Sequence, residues 1–144
     1  MLTVSDLLKQ KGEQVWVVEH SASVSEALGL MAQKDIGALV VLKKGKLCGI
    51  FSERDFTRRM AGGRSFNLNS PVSRLMTSDV LTATPKDTVE DCMKIMTEHH
   101  IRHLPVVDGE RLAGMISIGD VVKSIISGQK SFIRQLEDYI SGRW

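Results

Sequence analysis

The sequence predicts an α+β fold built from two copies of one strand–helix–strand–strand–helix unit, followed by an amphipathic helix. Three observations carry that expectation. Residues 15–56 align with residues 80–121 at a constant offset of 65 and without a gap. Ten of the 42 pairs are identical, among them Val15/Val80, Val24/Val89, Met31/Met96, Gly49/Gly114, Ser52/Ser117 and Asp55/Asp120, and unlike pairs such as Leu28/Met93 keep their class. Within each copy, apolar residues at helical spacing give way to short apolar runs of strand length. Self-similarity at a fixed period marks a duplicated supersecondary unit.

Composition sets the outer bounds. With 144 residues the chain can bury a core without disulfides. Charged residues make up 25% and apolar residues 42%, as in soluble globular proteins. A net charge of +2 is too small to suggest a nucleic-acid or membrane-surface binder. Residues 1–10 lack the basic segment and long apolar run of a signal peptide, and no stretch approaches 18 apolar residues, so the expected location is cytoplasmic. Cys48 and Cys92 are not equivalent repeat positions and read as small buried hydrophobes.

Taken in order, Val4, Leu7 and Leu8 lie at helical spacing and predict a short helix packed on the first repeat. Val4-Ser-Asp-Leu-Leu8 resembles Val72-Ser-Arg-Leu-Met76 at an offset of 68, which implies a three-residue insertion near Lys11 to Glu13. Val15–Val18 predicts a strand. Ser23 and Glu26 fit a capping box before a helix that runs to about Lys34. Ile36–Leu42 and Leu47–Phe51 predict a strand pair turning through Lys43-Lys-Gly-Lys46. A helix after Ser52 should bury Phe56 and Met60 and end at Gly62-Gly63, and polar residues 64–70 form the linker.

The second copy predicts a strand over Val80–Ala83 and a Thr88-capped helix carrying Val89, Cys92, Met93 and Met96. Strands over Ile101–Val107 and Leu112–Ile116 follow, the former demoted to an edge or an irregular start by Pro105, and Asp120–Ile126 opens the last helix of the repeat. Beyond Gly128, Phe132, Ile133, Leu136, Tyr139 and Ile140 mark a further amphipathic helix, whose apolar face is left for its own domain or for a second subunit. The expected division is residues 1–66, 67–128 and 129–144.

The duplicated stretch Gly49-Ile-Phe-Ser-Glu-Arg-Asp55 and Gly114-Met-Ile-Ser-Ile-Gly-Asp120 has two readings. In one, Ser and Asp simply cap a helix. In the other, a strand ending near Gly and followed by a helix N-terminus brings backbone N–H groups to a ligand phosphate, while the Asp accepts both hydroxyls of a ribose. The same residues can do both.

These motifs, with Ile101-Arg-His-Leu-Pro-Val-Val-Asp108, resemble the cystathionine β-synthase (CBS) domain, and two in tandem resemble a Bateman module. The likeness spans about Val4 to Ile126. It implies two CBS repeats packed sheet to sheet with pseudo-two-fold symmetry. It also implies a regulatory module that binds an adenine nucleotide (AMP, ADP, ATP or NAD) in two clefts. By the resemblance, Ser52 and Asp55 serve one cleft with Ile50, Val80, Leu81 and Ile101 around the adenine. Ser117 and Asp120 serve the other with Val15, Trp16, Ile36, Gly37 and Met115. Arg102 and His103 stand where the family often places phosphate-facing cations, and Arg54 adds another. Gly37-Ala-Leu-Val40 departs from that pattern, so the Asp120 cleft is expected to hold phosphate more tightly.

Other constellations mean less. His99, His100 and His103 with Cys92 lack the converging spacing of a metal site. The lysine turn has no interleaved aromatics to stack bases, although weak nucleic-acid binding there stays open. No nucleophile with a placed base and no Gly-rich phosphate loop is evident, so neither an enzyme nor a catalytic cofactor is expected. The expected partners are an adenosine-containing small molecule, a second copy in a homodimer and an effector protein, with no membrane and no nucleic acid. The alternative is a ligand-free structural or assembly module that binds a partner protein.

Overall fold

The computed structural model describes residues 2–12, 14–63 and 67–141, with Phe132 and Tyr139 in backbone only. Glu13 of the expected insertion, residues 64–66 of the expected linker, and the Phe132 and Tyr139 side chains of the expected apolar face lie outside the described residues.

The first half contains α1 (Val4–Lys11), β1 (Val17–Glu19), α2 (Val24–Lys34), β2 (Ala38–Lys43), β3 (Lys46–Ser52) and α3 (Glu53–Ala61). After a 3₁₀ turn at Val72–Arg74 come α4 (Val89–His99), β4 (His103–Asp108), β5 (Arg111–Ser117) and α5 (Ile118–Ser141). β1 runs parallel to β2, and β2 pairs antiparallel with β3. β4 and β5 form the second antiparallel pair, and the two sheets meet through β3 and β5. The register shifts at Val41/Leu42 recur at Val106/Val107, so even the bulge is duplicated.

Helix starts follow local chemistry. Thr3, Ser52 and Thr88 each accept from the third residue of their helix while Asp6, Asp55 and Asp91 reach back to the cap N–H. Ser23 accepts from the Glu26 N–H at 3.0 Å, and only that half of its expected box forms. Asp35 and His100, 65 apart, both end helices in the left-handed region, at φ 53° and 54°. Lys44 and Gly45, with φ 52° and 77°, turn the first hairpin as a two-residue primed turn demands.

The strand expected at Val80–Ala83 is reduced to one parallel bridge, Ala83 to Val106. In the first half the Val40 N–H donates to the Trp16 carbonyl at 3.2 Å. The equivalent donor belongs to position 105, and Pro105 has no N–H to give to Leu81.

The leading helix is not on the first repeat. Val4, Leu7 and Leu8 are buried with Val89, Cys92, Met96, Leu104 and Ile116 in the second core. Val72 and Leu75, which lead the second repeat, are buried with Val24, Met31, Leu39 and Phe51 in the first. The Val4 N–H donates to the Asp87 carbonyl at 2.8 Å, and the Val72 N–H to the Ala22 carbonyl at 2.7 Å, a matched pair of crossings. Each core is completed by the segment that precedes the other repeat.

Burial corrects the sequence reading at two helices. Met60 is 56% exposed while Phe56 packs on the first core, and Met93 is exposed beside buried Cys92 and Met96. α5 runs unbroken through Gly128, so the two helices expected on either side of it are one. A single Gly costs about 1 kcal/mol in a helix and does not by itself end one. Both cysteines are free thiols, and burial pushes Cys92 up to about 11, with Asp87 and Asp91 adding to the effect.

Candidate functional site

β3 delivers Ser52 to the N-terminus of α3, where its hydroxyl accepts from the Asp55 N–H at 3.2 Å. Asp55 Oδ2 accepts from the Ser52 N–H at 2.9 Å and from its hydroxyl at 3.0 Å. Asp55 Oδ1 accepts from the Thr77 hydroxyl at 3.0 Å. Thr77 is held by a two-way backbone bridge to Ile50. The carboxylate is thus oriented by its own cap and by the exchanged segment.

It stands at a cleft of about 390 Å³, within the range of small-molecule sites. Ile50, Val80, Leu81 and Ile101 supply apolar lining, and Ser52 and Asp55 polar lining, so the residues assigned by sequence to this cleft come together. Arg54 lines it too, its Nη1 donating to the His100 carbonyl at 2.7 Å. Sequence reasoning missed Arg58, Thr77, Glu53 and Asp79 in the lining. Arg58, four residues after Arg54 on one helix face, was legible in principle; Thr77 was not, because its position depends on the exchange.

Arg102, His103 and Gly37, expected at the Asp120 cleft, line the Asp55 cleft, while the charges of Asp120 and Lys11 also bear on His103. The Glu53 N–H donates to the Gly37 carbonyl at 3.0 Å, and the Ile118 N–H to the Arg102 carbonyl at 2.9 Å, so in each repeat the residue before β2 or β4 is bonded to the start of that repeat's own motif helix. Three arginines, Arg54, Arg58 and Arg102, and the imidazole of His103 line the same cavity as Asp55. Burial lowers the pKa of His103, opposed by Asp120 and reinforced by Lys11.

At the second motif Ser117 and Asp120 repeat the cap, with the Ser117 N–H at 2.8 Å from Asp120 Oδ2 and the Asp120 N–H at 3.2 Å from Ser117 Oγ. Lys11 Nζ also reaches Asp120 Oδ2 at 2.6 Å and the Met115 carbonyl at 2.8 Å. Burial pushes the Asp120 carboxyl up, but hydrogen bonds from Lys11 and Ser117 and the Lys11 charge outweigh it and leave the pKa lowered. Trp16 and Ile36 pack on the margin of the first core, and Lys34 Nζ sits 4.4 Å from the Trp16 ring centroid. Val15 is half-buried just before β1. Among the described residues no group of three His, Cys, Asp or Glu could hold a metal ion, and no helix is long and apolar enough to cross a membrane.

Comparison with known proteins bears on the fold. The chain is 36% identical to the CBS domain-containing protein CBSX3, mitochondrial, of Arabidopsis thaliana, over 97% of this chain and 72% of that one. The solved CBS-domain structure of NE2398 is 42% identical and superposes with a TM-score of 0.81, covering 86% of this chain and 97% of that one. The CBS domain pair of MJ0100, solved with 5′-methylthioadenosine and S-adenosyl-L-methionine, is 25% identical with a TM-score of 0.74, covering 90% and 98%. The CBS domain itself matches twice, at residues 4–62 and 72–127, and with both copies built on one plan the chain belongs to the CBS-domain family as a tandem pair.

Proposed function

We propose that this is a cytoplasmic regulatory module that binds an adenine nucleotide (AMP, ADP, ATP or NAD) in the Asp55 cleft and converts occupancy into a change of conformation or assembly. The observation that carries the reading is the lining of one cavity by an oriented carboxylate, apolar side chains, three arginines and an imidazole. Asp55 would accept from ribose hydroxyls, Ile50, Val80, Leu81 and Ile101 would flank the purine, and Arg54, Arg58, Arg102 and His103 would face phosphate. Guanidinium groups suit that task because they donate two charge-assisted bonds at once. The adenosine compounds bound by the MJ0100 pair support the nucleoside half of the reading.

The output would pass to an effector protein and through a homodimer, for which α5 presents Ile126, Ile133, Leu136 and Ile140, all large and exposed. Chemistry is not part of the proposed role. The test is thermal unfolding with AMP, ADP, ATP, NAD and S-adenosylmethionine, with GMP as control. A ligand at 100 times its dissociation constant adds about 2.7 kcal/mol, which raises Tm by several degrees. Asp55→Ala should remove most of that shift while costing about 0.5–2 kcal/mol of capping. No shift with any adenosine compound would return the module to a purely structural role.

A further inference from the structure

The two halves treat their motif aspartates differently. At Asp55 the neighbour from the exchanged segment is neutral: Thr77 gives its N–H to the Ile50 carbonyl at 2.8 Å and its hydroxyl to Asp55 Oδ1 at 3.0 Å. The equivalent acceptors 65 residues on are the Met115 carbonyl and the Asp120 carboxylate. Both are taken by one ammonium, that of Lys11, at 2.8 and 2.6 Å. The cause is the length of the exchanged segment. It forms a 3₁₀ turn over Val72–Arg74 before Thr77, but a full helix, Val4–Lys11, on the other side. The longer helix ends with Lys11 over the second motif.

We infer that Lys11 is an internal occupant of the Asp120 cleft, a latch that fills the carboxylate a ribose would need and so makes the two clefts unequal. The inference rests on the nucleotide reading above. A nucleoside entering the Asp120 cleft must displace an ion pair whose side chains are 32% and 20% exposed, partly shielded from solvent. At the Asp55 cleft the exchanged segment presents the neutral Thr77 hydroxyl in place of an ammonium, and a hydroxyl can accept as well as donate. A ligand that binds only the open form has its apparent affinity reduced by the open fraction, so a latch closed in about nine molecules of ten weakens that cleft about ten-fold.

The experiment is calorimetric titration of the full chain with adenosine, an uncharged probe that does not respond directly to removal of a lysine. It is run on the wild type, Asp55→Ala and Asp55→Ala/Lys11→Met, where the first substitution silences the open cleft and methionine keeps the apolar stem of the lysine. The expected result is adenosine binding about ten-fold tighter in the double variant than in Asp55→Ala. Raising KCl from low to moderate concentration should also tighten binding to Asp55→Ala, since salt weakens the ion pair that competes. Equal or weaker binding in the double variant, with Lys11→Gln in the same background giving the same result, overturns the latch and leaves the nucleotide reading standing. If the wild type binds neither adenosine nor AMP, the nucleotide reading falls and the latch with it.

Discussion

A Cβ built on Gly114 would stand 2.8 Å from Leu8 Cδ2, across the junction between the second sheet and the helix that opens the chain. Its counterpart Gly49 would meet Met76 in the same way. The glycine of the duplicated motif is therefore a packing position: it admits the apolar side chain of the exchanged segment against β3 or β5. Overpacking a filled site costs about 1–3 kcal/mol, so Gly114→Ala should destabilise by that amount in urea unfolding. In a Leu8→Ala background the penalty should shrink, and the double-mutant cycle should report coupling.

Arg102 faces the Asp55 cleft from the second repeat. If it serves phosphate, Arg102→Ala should weaken AMP binding about ten- to a hundred-fold, as loss of a charge-assisted hydrogen bond does, and leave adenosine binding nearly unchanged. Paired titrations with the two ligands check this.

His103 has a lowered pKa in the folded state, from burial first, with Asp120 and Glu53 opposing and Lys11 and Arg102 reinforcing. Because the unfolded chain then takes up its proton more readily, this residue lowers stability as pH falls below about 6.5 toward the folded value. His103→Gln should therefore lose less Tm than the wild type between pH 7.5 and 5.5, measured by thermal unfolding at both.

The outer face of α5 carries Ile133 at 53% and Ile140 at 83% exposure, with Leu136 at 46%. If a second copy covers it, Ile133→Glu with Leu136→Glu should convert the assembly to monomers in sedimentation equilibrium. The helical content should be retained, since both substitutions keep good helix formers.

Asp120 contributes stability with the opposite origin. Its lowered pKa means that the native state favours the ionised carboxylate, a contribution present at neutral pH and lost as pH falls through the folded value below 3.8. Lys11→Met should reduce that acid dependence, measured as Tm between pH 6 and pH 3.

Much of this architecture is local and was legible as such. The duplication, the capping residues Ser52, Thr88 and Ser117, the hairpin at Lys44-Gly45 and the apolar faces of α2 and α4 follow from spacing, φ preference and hydrogen bonds that close within about four residues. Ile50, Ser52, Asp55, Val80, Leu81 and Ile101, which the family resemblance grouped at one cleft, line one cavity. Pro105 carried its own signal, although its consequence for Leu81 required knowing which strands pair.

What only the tertiary structure decided is which half each leading segment completes. Val4-Leu7-Leu8 and Val72-Leu75 offer similar apolar faces, and the two cores offer similar seats, so hydrophobic pattern alone cannot choose between packing at home and packing across. The crossing chosen here places Leu8 and Met76 over the motif glycines and brings Thr77 and Lys11 to the motif aspartates. Burial is non-directional, whereas the hydrogen bonds of Val4 to Asp87 and Val72 to Ala22 are directional and join residues far apart in the chain. Those contacts, absent from any local window, are where two repeats of one plan come to hold their motif aspartates differently.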